Sequence, residues 1–118
     1  MRKSVSLVVP FYNEESAVAR FCDALLSSLD PIIDIDWEII CIDDGSQDAT
    51  LDRLIAHTSH DPRFKILEFS RNFGKEAALT AGIDIALGDA VIPIDADLQD
   101  PPALIARMIE AWRLGAEI

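Results

Sequence analysis

The chain has 118 residues, half of them hydrophobic and about a quarter charged, with 10 Lys and Arg against 21 Asp and Glu for a formal net charge of -11. That length sets one domain with one core, and the composition excludes a disordered chain. The charge excludes binding to a phosphate backbone, which depends on clustered cations, so no nucleic-acid partner is expected; an anionic ligand bridged by a divalent cation suits this balance better.

The first apolar run, "VSLVVP" from Val5 to Pro10, has the length and β-branched content of a buried strand. It is too short for the core of a signal peptide, and no stretch reaches the ~18 apolar residues of a membrane span. The loop after it, "PFYNEE", has no glycine, so it is not the G-x-G-x-x-G turn of a dinucleotide fold. Pro10, Tyr12, Asn13 and Glu14 stand there instead, offering a ring to stack on and acceptors for a base or ribose. Their structural alternative is Asn13 as a helix N-cap with Glu14 in the first turn. Val18, Phe21, Cys22, Leu25 and Leu29 then recur at helical spacing.

The second run, "WEIICID" from Trp37 to Asp43, leads into "DDGSQD". Gly45 supplies a turn conformation closed to other residues, and Ser46 or Asp48 caps the next helix. Asp43 and Asp44 point opposite ways on an extended segment, so one at most faces a ligand while the other ties down the loop. "ATLDRLIAHTSHDP" gives a short helix and a turn, with His57 and His60 on its surface. Cys22 and Cys41 lack CxxC spacing and sit in apolar stretches, reading as reduced core thiols of a cytoplasmic protein.

The third run, "FKILEF" from Phe64 to Phe69, is followed by Arg71 and Lys75 flanking Asn72, Phe73 and Gly74. Two cations at the mouth of an acidic edge suit a diphosphate, or equally a surface salt bridge. "KEAALTAGIDIALG" predicts a small-residue helix able to pack close to a sheet.

The fourth run, "AVIPID" from Ala90 to Asp95, passes into "DADLQDPP". Asp100 before Pro101 reads as an N-cap and N1 pair. Asp95 and Asp97, at i and i+2 on an extended segment, share a face, and two hard oxygen ligands there suit Mg²⁺ or Mn²⁺ with a substrate diphosphate completing the shell. Gln99 adds a carbonyl oxygen. Leu104, Ile105, Met108, Ile109 and Trp112 mark a last helix; Trp37 and Trp112 read as core or core-edge aromatics.

The order βαβαβαβα predicts an α/β fold, a Rossmann-like three-layer α/β/α arrangement with a mainly parallel sheet, whose ligand sits beyond the carboxyl ends of the strands. Four strands make a thin sheet, so the chain is expected to be a fragment or half of a larger domain.

"VVPFYNEE", "CIDDGSQDAT", "SRNFGKEAALTAG" and "IDADLQDPP", in this order and spacing from Val8 to Pro102, resemble the family 2 glycosyltransferases of the GT-A fold, above all the polyprenyl-phosphate sugar transferases such as bactoprenol glucosyltransferases and dolichyl-phosphate mannose synthase. The resemblance implies that residues 1–118 are the N-terminal nucleotide-sugar-binding part of a GT-A domain. By that likeness Pro10, Tyr12, Asn13 and Glu14 form the first nucleotide-binding loop, Asp44 contacts the base with Ser46 nearby, and Arg71 and Lys75 lie near the diphosphate. Asp95 and Asp97 resemble the catalytic DXD pair, with Ala96 between them at the nucleotide; Asp97, Gln99 and Asp95 would hold the metal.

The activity so implied is metal-dependent, inverting transfer of a sugar from a nucleotide-sugar donor to a polyprenyl phosphate. "SRNFGKEAALTAG" is closer to the bactoprenol-linked members, which favours a UDP-sugar. Family members continue beyond this point into acceptor contacts and often C-terminal membrane helices, so the 118 residues alone are expected to be soluble, to bind nucleotide weakly and to turn over little. The full-length protein is expected at the cytoplasmic side of the membrane. Three alternatives stay open: a phosphoacceptor receiver domain, a haloacid-dehalogenase-type phosphatase, and a non-catalytic nucleotide-binding module. The first two place their acidic motifs earlier in the strand order than this chain does.

Overall fold

The computed structural model describes residues 3–97 and 101–115, with the backbone alone over 101–103. Strands and helices alternate as β1 (Lys3–Phe11), α1 (Val18–Leu29), β2 (Ile35–Asp43), α2 (Thr50–Thr58), β3 (Phe64–Glu68), α3 (Lys75–Ile85), β4 (Ala90–Pro93) and α4 (Pro101–Arg113). All strand pairings are parallel, in the order β3-β2-β1-β4. The runs of β-branched residues in β1 and β2 are unbroken because both faces of the central strands are covered.

On one face Val5, Leu7, Val9 and Phe11 of β1 and Trp37, Ile39 and Cys41 of β2 pack with Val18, Phe21, Cys22, Leu25 and Leu29 of α1 and with Leu54, Ile105 and Ile109 of α2 and α4. The helical spacing of those α1 residues places them all on the buried side, as their period requires. Phe11 and Phe21 meet edge to face at 5.8 Å. On the other face Val8, Ile40 and Ile42 pack with Ala78 of α3. Each such Val, Leu or Ile taken fully out of water contributes about 1.5–3 kcal/mol.

The small residues of α3 have a reason. A Cβ added at Gly82 would lie 2.4 Å from Val8 Cγ1 and 2.9 Å from Ile42 Cδ1, so the helix rides directly on the sheet only because no side chain intervenes. Burial of both cysteines is also as expected, and both are free thiols. Burial, with Asp23 beside it, pushes the Cys22 thiol up to about 11, and burial raises Cys41 further, which keeps both protonated and inert.

Two expectations change. The third run is not a buried strand: β3 lies at the sheet edge, and its five residues are half-buried or exposed. The fourth stops at Pro93, two residues early, after which the Ile94 N–H still donates to Val8 O at 2.9 Å. His57 and His60 are exposed. Among the described residues no helix is long and apolar enough to cross a membrane.

Register places the strand ends together. Phe11 pairs with Asp43 and Asp43 with Glu68, while Pro93 pairs with Val8 and the chain runs on beside β1. Every loop that leaves a carboxyl end therefore opens at one edge.

Candidate functional site

The loop after β1 turns at Asn13, whose φ of 51° is left-handed and tolerable because a short amide side chain bonds locally. Its Oδ1 accepts the Gln47 N–H at 2.8 Å, and its own N–H donates to Ser46 Oγ at 2.9 Å. Asn13 is thus not the helix cap expected from the sequence. Helix α1 starts at Val18 with Ala17 in the cap position and no side-chain cap, and Asn13 reaches across to the loop after β2 instead. The same two loops are laced again where the Glu14 N–H donates to Thr50 Oγ1 at 2.8 Å and the Glu15 N–H to Asp48 Oδ2 at 3.3 Å.

Asp48 does serve the start of α2, as its Oδ1 accepts the Thr50 N–H at 2.9 Å; Ser46 serves Asn13. Burial pushes the Asp48 carboxyl up, but hydrogen bonds from Thr50 and from the Glu15 N–H outweigh it and hold the group below the usual carboxylate range.

Asp43 and Asp44 are each 2% exposed and do diverge. Asp43 Oδ1 accepts the Ser46 N–H at 3.3 Å inside its own turn. Asp44 faces the loop after β3: Oδ1 accepts the Phe73 N–H at 2.8 Å, and Oδ2 accepts the Gly74 N–H and Asn72 Nδ2, both at 3.1 Å. Gly45, with φ of 70°, lets the two loops touch, since a Cβ there would lie 2.1 Å from the Arg71 carbonyl carbon. The aspartate that ties down the loop after β3 also lines a hollow beside the loop after β1.

That hollow, of about 400 Å³, opens at the carboxyl edge and is lined by Pro10, Phe11, Tyr12 and Glu14, by Asp44, by Asn72, Gly74 and Lys75, and by Asp95, Ala96 and Asp97. Asp95 and Asp97 lie beyond β4, Asp97 in a turn, so their common side comes from that turn and not from an extended segment. Lys75 forms an ion pair with Asp95, both side chains about half exposed, which is the salt-bridge alternative for this lysine. Arg71 is not beside it. Its guanidinium stacks on Phe73 at 4.7 Å and lines a neighbouring hollow of about 360 Å³ together with Ser46 and Asp43.

Gln99 and Asp100 lie outside the described residues, and α4 begins at Pro101. Among the described residues no three His, Cys, Asp or Glu side chains cluster as a metal site, so an ion held by Asp95 and Asp97 would need further ligands from elsewhere. Phe11, Asn72 and Gly74 also line the hollow, beyond the residues expected from the sequence, and Thr50 is a further unexpected partner of the loop after β1. For Gly74 the signal was present, a glycine before a helix, and its φ is 103°.

A family model described as glycosyl transferase family 2 matches residues 6–118. The uncharacterized glycosyltransferase sll0501 of Synechocystis sp. is 52% identical over 118 residues, 100% of this chain and 37% of that protein. The bactoprenol glucosyl transferase of Shigella phage SfX is 48% identical over 114 residues, 97% of this chain and 37% of that protein. The chain therefore spans a little over a third of the length of these relatives. Among solved structures, the mannosyltransferase PcManGT from Pyrobaculum calidifontis, in complex with GDP-Man and Mn²⁺, superposes with a TM-score of 0.76 at 25% identity, covering 93% of this chain and 32% of that one.

Proposed function

The chain belongs to glycosyl transferase family 2, and from that premise we propose that residues 1–118 are the N-terminal nucleotide-sugar-binding part of a GT-A domain. The enzyme it serves is a metal-dependent, inverting transferase that moves a sugar from a UDP-sugar to a polyprenyl phosphate. Membership in the family displaces the receiver and phosphatase alternatives. The observation that carries the reading is the convergence of Tyr12, Glu14, Lys75, Asp95 and Asp97, from three loops, on one hollow at the carboxyl edge.

The residues present fit a divalent ion. Asp95 and Asp97 offer hard carboxylate oxygens to the same hollow, donors suited to Mg²⁺ or Mn²⁺, and Gln99 is the proposed third protein ligand. When bound, the ion supplies charge neutralisation for the departing nucleoside diphosphate. Pro10 and the Tyr12 ring, 44% exposed, give a base a surface to lie on, with Asp44 behind it and Glu14 as a ribose acceptor. Asn13 and Ser46 hold that loop in place. Ala96, with no side chain beyond Cβ, lets backbone approach the ligand. Lys75 exchanges Asp95 for the diphosphate, and Arg71 approaches from the neighbouring hollow.

The acceptor phosphate, with a second pKa near ~6, is ionised at neutral pH and attacks the anomeric carbon from the face opposite the leaving group with little general-base help. The likeness to a bactoprenol glucosyl transferase supports the polyprenyl acceptor and hence work at the cytoplasmic face of a membrane; the structure with GDP-Man and Mn²⁺ supports a nucleotide-sugar and a divalent ion.

Calorimetric titration of the chain with UDP-sugars and GDP-sugars, with and without Mn²⁺, tests this. The expected result is Mn²⁺-dependent binding that prefers UDP-sugars and disappears in Asp97→Ala. Binding indifferent to Mn²⁺, or unchanged in Asp97→Ala, would remove the metal from the reading.

A further inference from the structure

We propose that Thr50 is a positioning residue for the nucleotide loop: its hydroxyl, aligned by Asp48, holds the Glu14 N–H and so fixes where Tyr12 and Glu14 stand in the hollow. The proposal rests on the nucleotide-sugar reading above. Thr50 is the first residue of α2, yet its side chain is 0% exposed and is used by another loop.

A hydroxyl carries one proton. Here it goes to Asp48 Oδ1, a carboxylate oxygen that can only accept, which turns a lone pair toward the Glu14 N–H at 2.8 Å, a group that can only donate. The polarity of the relay is therefore fixed. Asp48 completes it by accepting the Thr50 N–H on Oδ1 and the Glu15 N–H on Oδ2.

Glu14 and Glu15 stand between the end of β1 at Phe11 and the start of α1 at Val18, where neither strand nor helix supplies a partner for their N–H groups. Two consecutive amides are instead anchored to residues 36 and 33 positions away. Remove the hydroxyl and the Glu14 N–H loses its acceptor in a part-buried place, a change the loop can meet only by shifting. Glu14 and Tyr12 would then move relative to Asp95 and Asp97, and displacements of about 1 Å in such a site have large effects.

The test compares Thr50→Val, which keeps shape and removes the hydroxyl, with Thr50→Ser, which keeps the hydroxyl. Two quantities are read: amide hydrogen exchange at Glu14 and Glu15, and the Kd for UDP in the presence of Mn²⁺. Thr50→Val is expected to speed exchange at Glu14 while α1 and β2 stay protected, and to weaken UDP by about tenfold; Thr50→Ser should stay close to wild type in both. Should Thr50→Val fail to fold, Asp48→Asn, which weakens the acceptor that aligns the hydroxyl, carries the same expectation at smaller size. A folded variant with wild-type exchange and wild-type Kd overturns the proposal, as does weakened binding without faster exchange. A wild-type chain that binds no nucleotide overturns the ligand-positioning role together with the reading beneath it, while the exchange data still decide the anchoring.

Discussion

Asp44 shows how one side chain joins stability to the site. Its buried carboxylate accepts two main-chain N–H groups and one side-chain amide from residues 72–74, the segment that delivers Lys75 to the hollow. Truncation to Ala would leave the part-buried Phe73 and Gly74 N–H groups without their acceptor, while Asn72 Nδ2 keeps the Asp44 main-chain carbonyl at 3.2 Å, and donors shielded from water and orphaned in this way cost about 1–3 kcal/mol each. We expect Asp44→Ala to lose about 3 kcal/mol of stability, measured from the urea midpoint at constant slope. Asp44→Asn should be nearly as damaging, because its amide would turn a donor toward other donors. If the carboxylate served only a ligand, both substitutions would weaken nucleotide binding and leave the midpoint where it is. The sequence exposed only half of this. Adjacent aspartates on an extended segment had to diverge, but that the one toward the hollow would also be the tie depended on the loop after β3, which lies 28 to 30 residues away in the chain.

At the scale of elements, α3 and its exit to β4 are held by a polar row at the other end of the sheet. Ser6 Oγ donates to Glu38 Oε1 at 2.6 Å and accepts the Gly88 N–H at 2.9 Å, the Leu87 N–H donates to the same Glu38 oxygen at 2.9 Å, and Lys65 pairs with Oε2. Burial raises the Glu38 pKa, but the hydrogen bonds from Leu87, Lys65 and Ser6 outweigh it, so the folded value lies below the unfolded one. A depressed pKa means that this contribution is complete above the unfolded value of about 4.3 and is lost as pH falls through the folded value. Thermal melts from pH 6 down to pH 3 should therefore show an acid limb that is shallower in Glu38→Gln; equal slopes in the two proteins would assign the limb to other carboxylates. The helices and strands themselves were legible because each carries its own period or β-branched run. What the runs did not carry was position in the sheet. "FKILEF" reads like a central strand, and only the order β3-β2-β1-β4 makes it an edge. The end of β4 escaped for a similar reason, since Ile94 continues the apolar run, yet beyond its N–H bond to Val8 O the pairing with β1 stops.

For the whole molecule, alternation of elements sufficed to give a parallel sheet, because short connections and right-handed crossovers leave few other arrangements, and the carboxyl-edge rule then told where the polar loops would meet. The site was less legible than the fold. Arg71 and Lys75, four residues apart, read as one cationic mouth, yet one stacks on Phe73 and the other pairs with Asp95. The net charge of -11 bears on the same question at longer range. A nucleoside diphosphate brings further negative charge to an acidic surface on which the nearest cation, Lys75, is already paired. Without a divalent ion, approach is opposed by a field that reaches about 30 Å at 0.01 M salt and about 8 Å at 0.15 M. UDP binding in the presence of a chelator should accordingly strengthen as salt rises over that range, the reverse of a phosphate site built on clustered cations, where salt weakens binding. With Mn²⁺ the ion offsets charge locally and the salt dependence should flatten. Chelator-treated protein whose UDP affinity falls steadily with salt would mean that Lys75 and Arg71, and not the net charge, set the potential in the hollow.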